Sequence, residues 1–178
     1  MTGIDTRDIT RLSGVDDRAV DALLDAAFGP ERFGRTAYRI RLGMAWLTDL
    51  SFAAHDEAGR LVGTLQSWPV ALHPDDGAQT PLIMVGPVAV LPDVQHAGIG
   101  RALMDRLIET VDAAGTDPLV MIGDPEYYGR FWGFTDSATG GWDAPGPVER
   151  RRLLARITPD ATLPSSGMLG PQRILIAD

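Results

Sequence analysis

"VAVLPDVQHAGIGRALMDRL" spans residues 88–107. An apolar run stops at Pro92, a polar loop follows, two glycines come next, and then a helical pattern begins. Glycine weakens a helix by about 1 kcal/mol relative to alanine. Gly98 and Gly100 at a helix start therefore need a physical reason. A helix start leaves its first N–H groups unpaired and carries a partial positive charge, and both features suit a phosphate. A side chain in the way would hold the phosphate off the backbone. Glycine removes it and also permits positive φ in the turn. Gln95, His96, Ala97, Gly98, Ile99, Gly100 and Arg101 can thus form a cradle of backbone N–H groups running from His96 to Arg101, with the Arg101 charge added.

Three phosphate-loop patterns compete for this stretch. A P-loop requires Gly-Lys-Ser/Thr, but Arg101 and Ala102 follow Gly100. A Rossmann fingerprint requires a third glycine and glycines directly after the strand. Here Leu103 holds that third position, and the seven residues from Leu91 to Ala97 separate Val90 from Gly98. The third pattern, Q/R-x-x-G-x-G/A, binds the pyrophosphate of coenzyme A, and Gln95, Gly98 and Gly100 fill it. On these residues alone, a glycine turn that simply packs a helix on a strand stays open as the plainer alternative.

Composition narrows the classes further. A chain of 178 residues is long enough for one domain with a sizeable core. There is no cysteine, which excludes a disulfide framework, a thiolate metal site and a cysteine nucleophile. All sixteen basic residues are arginine, so Schiff-base lysine chemistry is excluded as well. The net charge of −8 argues against nucleic-acid binding and is compatible with a cationic small substrate, although solubility alone accounts for it. The first fifteen residues carry four Asp or Arg residues and no apolar core, unlike a signal peptide. No apolar run approaches the roughly 20 residues needed to span a bilayer. The expectation is a cytoplasmic protein without membrane association.

The remaining pattern predicts an α+β domain. Asp16 caps a helix on which Val20, Leu23, Leu24, Ala27 and Phe28 recur at helical spacing until Gly29–Pro30. Phe33, Ala37, Ile40, Met44 and Leu47 suggest a second helix. "LSFAAH" and "RLVGTLQSWPVAL" read as strands joined by the turn "DEAG". "LIMVGPVAV" reads as a central strand, apolar on both faces. Residues 98–114 form the clearest helix, closed by Gly115. "PLVMIG" reads as a buried strand, and "DPEYYGRF" as a short helix with Asp124 as cap and Pro125 in first position. "TDSATGGWDAPGP" reads as loop, "ERRRLLARI" as strand rather than helix because Gly/Pro-rich loops flank it, with its arginines on a solvated strand or loop face, and "RILIAD" as a terminal strand.

"GPVAVLPDVQHAGIGRALM" and "MIGDPEYYGRFWGF", one helix apart, resemble two successive segments of the GNAT superfamily of N-acetyltransferases. The resemblance covers residues 50 to 134; outside it only the order of elements matches. It implies a GNAT fold over residues 1–178 as a single N-acetyltransferase domain. That fold has a central twisted mixed sheet, mostly antiparallel, of six to seven strands. Helices flank both faces, and the two central strands splay apart. The implied co-substrate is acetyl-CoA, with no metal. Pro87 within an apolar run fits the splay, because proline cannot donate to a ladder.

The resemblance also implies site roles. Val88, Ala89 and Val90 would offer backbone groups to the pantetheine, one N–H polarising the thioester carbonyl. Residues 95–101 would hold the pyrophosphate, His96 through its backbone N–H rather than as a base. The departing thiolate needs a proton, and a phenol titrates close enough to an alkyl thiol to supply it. The family places a tyrosine on the short helix, where this chain has Tyr127 and Tyr128. Alignment with members of the "PEYYxRFGF" type selects Tyr128 as the catalytic acid. The extra Trp132 lengthens the segment by one residue and leaves Tyr127 open as the alternative.

No general base is evident. Residues 82–90 carry no titratable side chain, Glu126 sits where a helix cap is the plainer role, and His55 and His73 lie outside any motif. Water-mediated deprotonation of the amine is the economical reading. The expected activity is direct acetyl transfer from acetyl-CoA to a primary amine of a small acceptor, in a ternary complex. A non-catalytic acyl-CoA-binding or regulatory module, and a protein N-acetyltransferase, are the alternatives. A homodimer is an open assembly.

Overall fold

The computed structural model describes residues 8–174. The chain divides into two compact units, one built from the residues up to Phe33 with 46–67 and 86–116, the other from 34–45, 68–85 and the residues from Asp117 on.

In the first unit, strand β1 (Ile9–Arg11) leads through a 3-10 turn into helix α1 (Asp17–Phe28). Asp16 caps the helix as expected, accepting from the Arg18 N–H at 3.1 Å, and Gly29 ends it with φ of 82°. Val20, Leu23 and Leu24 bury against Leu12, Ala53 and Ala89. Buried Arg32 fixes the following turn to α1, bonding Asp25 at 2.9 Å and Asp21 at 3.1 Å. Strand β2 (Phe52–His55) pairs antiparallel with β1 and with β3 (Leu61–His73). The Asp56 carboxylate closes the turn between β2 and β3 by accepting from the N–H groups of Ala58 at 3.0 Å and Arg60 at 2.9 Å. Helix α3 (Ile99–Ala114) buries Ile99, Ala102, Leu103, Met104, Leu107 and Val111, and Gly115 ends it in the left-handed conformation. These residues recur at three- and four-residue spacing, so one apolar stripe of the helix packs.

Strands β3 and β4 (Thr80–Val90) each run through both units. The second unit holds the short helix α2 (Thr36–Ile40), strand β5 (Leu119–Ile122), helix α4 (Pro125–Trp132), and strands β6 (Gly141–Asp143), β7 (Leu153–Arg156) and β8 (Ser166–Pro171). Its core gathers Ile40, Val70, Leu72, Met84, Val120 and Trp142 among other apolar residues. The eight strands among the described residues form one mixed sheet in the order β1-β2-β3-β4-β5-β7, with β8 pairing β3 and β6. Pairs β4–β5 and β6–β8 are parallel; β1–β2, β2–β3, β3–β8 and β5–β7 are antiparallel. The fold class is the α+β mixed sheet that the resemblance implies, with eight strands among the described residues. No helix among the described residues is long and apolar enough to cross a membrane.

Four local expectations need correction. The second helix is only Thr36–Ile40: Phe33 lies in a 3-10 turn and is 61% exposed, and Gly43 takes φ of 77° beyond the helix end. The helical spacing there is real, but Gly34 and Gly43 interrupt it. Strand β1 has a single inward residue, Ile9, too little for an alternation to register. The loop read over 135–147 contains β6, anchored by buried Trp142, whose indole N–H donates to the Pro164 carbonyl at 2.9 Å. Arg150–Arg152 form a 3-10 turn, and the expected strand begins only at Leu153.

The last described strand is β8; of "RILIAD", Arg173 and Ile174 are outside any strand, and 175–178 lie outside the described residues. Strand β8 was hidden by its glycines. A β-carbon at Gly167 would fall 2.9 Å from Leu72 Cγ and 3.0 Å from the His73 carbonyl oxygen, so the close approach itself excludes a larger residue.

Candidate functional site

The parallel ladder between β4 and β5 has two register pairs, Ile83↔Leu119 and Met84↔Val120. Among the described residues no register pair joins these strands beyond Met84. Gly86 follows with φ of 126°, and the Gly86–Pro87 peptide is cis. Pairing therefore stops just before Pro87, where the sequence suggested it would. Val88, Ala89 and Val90 complete β4 past that point, Ala89 being buried and its neighbours half-buried.

The phosphate loop begins at a 3-10 turn, Pro92–Val94. The Leu91 N–H donates to the Val62 carbonyl at 2.9 Å, which ties the loop entrance to β3. Arg60 ties down the turn itself, reaching Asp93 Oδ2 at 3.1 Å while also holding Asp56. Hydrogen bonding to Arg60 keeps the Asp56 carboxyl below its ordinary value. Gln95, His96, Ala97 and Gly98 are exposed. The Ala97 N–H closes onto the Val94 carbonyl at 3.1 Å, so one of the expected cradle groups already has a partner within the chain. Gly98 caps the helix in the left-handed conformation, φ 76° and ψ 14°, which accounts for glycine there. The first α-helical hydrogen bond runs from the Ala102 N–H to the Gly98 carbonyl at 3.0 Å. The N–H groups of Ile99, Gly100 and Arg101 precede it, as at any helix start.

Gly100 differs from Gly98. Its backbone is helical, and a β-carbon there would meet only Val90 Cγ2, at 3.7 Å, an ordinary contact. Nothing in the chain's own packing calls for glycine at this position. Sequence reasoning missed what aims the helix. A β-carbon at Gly63 on β3 would fall 2.6 Å from Ile99 Cγ2, 3.2 Å from Leu103 Cδ1 and 3.3 Å from the Ala89 carbonyl. This glycine lets the start of α3 settle against the sheet with Ile99 buried. A glycine inside an otherwise regular strand pattern was the available signal.

The tyrosine pair lies on α4, in the second unit. Asp124 caps that helix, accepting from the Glu126 N–H at 3.1 Å, with Pro125 in first position, and Gly133 ends it with φ of 74°. Tyr128 is half-buried, its ring set against the backbone of Gly123 and 5.7 Å from Trp132 and 6.3 Å from Phe134 between centroids. Tyr127 is 39% exposed and touches the rings of Phe131 and Trp132. Burial pushes the Tyr128 phenol above its ordinary value; Tyr127 and Asp124 add to the push, and Arg152 opposes it. The group is a protonated phenol at neutral pH, the form a proton donor requires.

Glu126 lies in the first turn of α4 and is ion-paired with Arg151. Hydrogen bonding with Asp124 and with its own backbone, together with Arg151, holds its carboxyl below the usual range. It is not tuned as a base for neutral pH. His73 Nε2 bonds the Pro171 carbonyl oxygen at 3.0 Å, a structural contact between β3 and β8. Among the described residues no group of three or more His, Cys, Asp or Glu side chains gathers to hold a metal ion.

The family model of the acetyltransferase (GNAT) domain matches residues 12–135. The uncharacterized N-acetyltransferase YhbS of Escherichia coli K12 is 26% identical over 117 residues, which cover 66% of this chain and 67% of that protein. A crystal structure of Escherichia coli YhbS in complex with CoA superposes with a TM-score of 0.71 at 24% identity, covering 92% of this chain and 88% of that one. A GNAT family acetyltransferase from Brucella melitensis, in complex with acetyl-CoA, gives 0.54 at 27% identity, over 83% and 94% of the two chains. The match of the family model over most of the chain, on a mixed sheet whose β4–β5 ladder stops before Pro87, carries the conclusion: this chain belongs to the GNAT acetyltransferase family.

Proposed function

We propose that residues 1–178 act as one N-acetyltransferase domain that moves an acetyl group from acetyl-CoA to a primary amine of a small acceptor, by direct transfer in a ternary complex. The observation that carries the reading is Gly100, a helical glycine where a β-carbon would make only one ordinary contact, 3.7 Å from Val90 Cγ2. A missing side chain that the protein's packing does not require is explained by close approach of an anion from outside. In this reading Gln95, His96, Gly98, Ile99, Gly100 and Arg101 hold the pyrophosphate, with Ala97 completing the loop, and Val88, Ala89 and Val90 present backbone to the pantetheine. The CoA and acetyl-CoA complexes of the related proteins support this choice of ligand.

The chemistry follows from the groups present. The amine nitrogen attacks the thioester carbon, the carbon–sulfur bond breaks, and the Tyr128 phenol gives its proton to the departing sulfur. The acceptor ammonium sheds two protons in all, through water. One restores the phenol and the other goes to solvent. No covalent acyl-enzyme is needed, and a cysteine nucleophile does not exist in this chain.

The test is thiol release from acetyl-CoA across a panel of amines, polyamines, amino acids and peptides, with acetylated products identified by mass. Acetylation of small amines supports the reading. Acetylation confined to peptides would shift it to a protein acetyltransferase, and bound acetyl-CoA with no product from any acceptor would favour a binding module.

A further inference from the structure

Arg150, Arg151 and Arg152 form the 3-10 turn before β7, and all three residues are exposed. Arg150 reaches Asp143 at 3.3 Å and the carbonyls of Gly140 and Trp142 at 2.8 and 3.0 Å. Arg151 pairs with Glu126. Arg152 is different: among the described residues no carboxylate bonds to it.

Its backbone is nevertheless fixed. The Gly123 N–H donates to the Arg152 carbonyl at 2.9 Å, one step beyond the register pair Ile122↔Leu153. The Arg152 N–H donates to the Glu149 carbonyl, also at 2.9 Å. Gly123 is also the residue whose backbone carries the Tyr128 ring. Gly123 thus has the Arg152 backbone on one side and the Tyr128 ring against it on the other, and the Arg152 charge eases ionisation of the phenol.

We propose that Arg152 is a positioning residue for acetyl transfer, whose guanidinium stabilises the phenolate that Tyr128 becomes when it protonates the departing thiolate. The inference rests on Tyr128 as the acid. The other groups facing the phenol are Tyr127 and Asp124, both of which disfavour the phenolate. Glu126 and Arg151 offset each other as a pair. Arg152 is therefore the group that counters burial. In the balanced step the proton moves from phenol oxygen to sulfur, the negative charge moves from sulfur to oxygen beside Arg152, and an acceptor proton later restores the phenol.

The test compares the full-length wild type with Arg152→Gln, Arg152→Lys and Tyr128→Phe. Tyr128 is titrated by phenolate absorbance, as the difference between each Arg152 variant with and without Tyr128→Phe. Turnover is measured with the acceptor that the panel identifies. Arg152→Gln is expected to move the Tyr128 titration to higher pH and to lower kcat about 3- to 10-fold with KM for acetyl-CoA unchanged. Arg152→Lys keeps the charge and is expected to leave the titration near its wild-type position. An unchanged Tyr128 titration in Arg152→Gln overturns the inference whatever happens to kcat. Failure of the acid assignment shows separately, as full activity in Tyr128→Phe.

Discussion

The Tyr128 ring lies on the backbone of Gly123, so closely that a β-carbon at Gly123 would fall 2.7 Å from both Cδ2 and Cε2 of the ring. The glycine that closes strand β5 is thus the floor on which the candidate acid rests, and α4, capped by Asp124, sets the ring down there.

Gly123→Ala is expected to push the ring off that floor. Overpacking of this kind costs about 1–3 kcal/mol. A urea melt should show the loss, and kinetics should show kcat falling while the affinity for acetyl-CoA stays near wild type. An unchanged kcat would mean that the position of the ring does not matter to the reaction.

The two tyrosines separate by substitution. Tyr128→Phe keeps the ring and removes the proton, so kcat should drop on the order of 10²-fold with acetyl-CoA binding intact. Tyr127→Phe should do much less, because that ring is more exposed and meets Tyr128, Phe131 and Trp132 edge-to-face rather than lying on Gly123. The reverse pattern would select the register that the extra Trp132 leaves open. No loss in either variant would assign thiolate protonation to solvent.

The two loop glycines should respond with opposite signs in the free protein. Gly98→Ala forces a β-carbon into φ of 76° and should destabilise by about 1 kcal/mol. Gly100→Ala places alanine in a helix with an ordinary 3.7 Å contact and should stabilise by about 0.5–1 kcal/mol. Chemical denaturation without ligand checks both. A destabilised Gly100→Ala would give that glycine a packing role and remove the reason to look outside the chain for its cause.

Much of the fold was legible because its strongest elements carry long patterns. Helix α3 shows its stripe over four turns, and β3 and β4 have long apolar runs between clear turn residues. The elements that escaped are short, or are built from residues that look like loop. Strand β1 is three residues long, and β8 is "SGMLGP", whose Gly167 is dictated by the proximity of β3 rather than by any turn. At the candidate site, the loop motif and the tyrosine pair were visible as residue types. The supports were not: Gly63 beneath Ile99, Gly123 beneath Tyr128, and Arg60 reaching Asp93 depend on which strands lie side by side.

The measurement that bears most directly on the account is calorimetric titration of acetyl-CoA into the wild type, Gly100→Ala and Gly100→Val, each first checked for a cooperative melt. If the missing side chain at Gly100 makes way for a phosphate, the wild type binds, alanine weakens binding, and valine weakens it at least about 10-fold, a loss of about 1.4 kcal/mol. Equal affinity in wild type and a folded Gly100→Val, or no binding by the wild type at all, would contradict the assignment of this loop to acetyl-CoA.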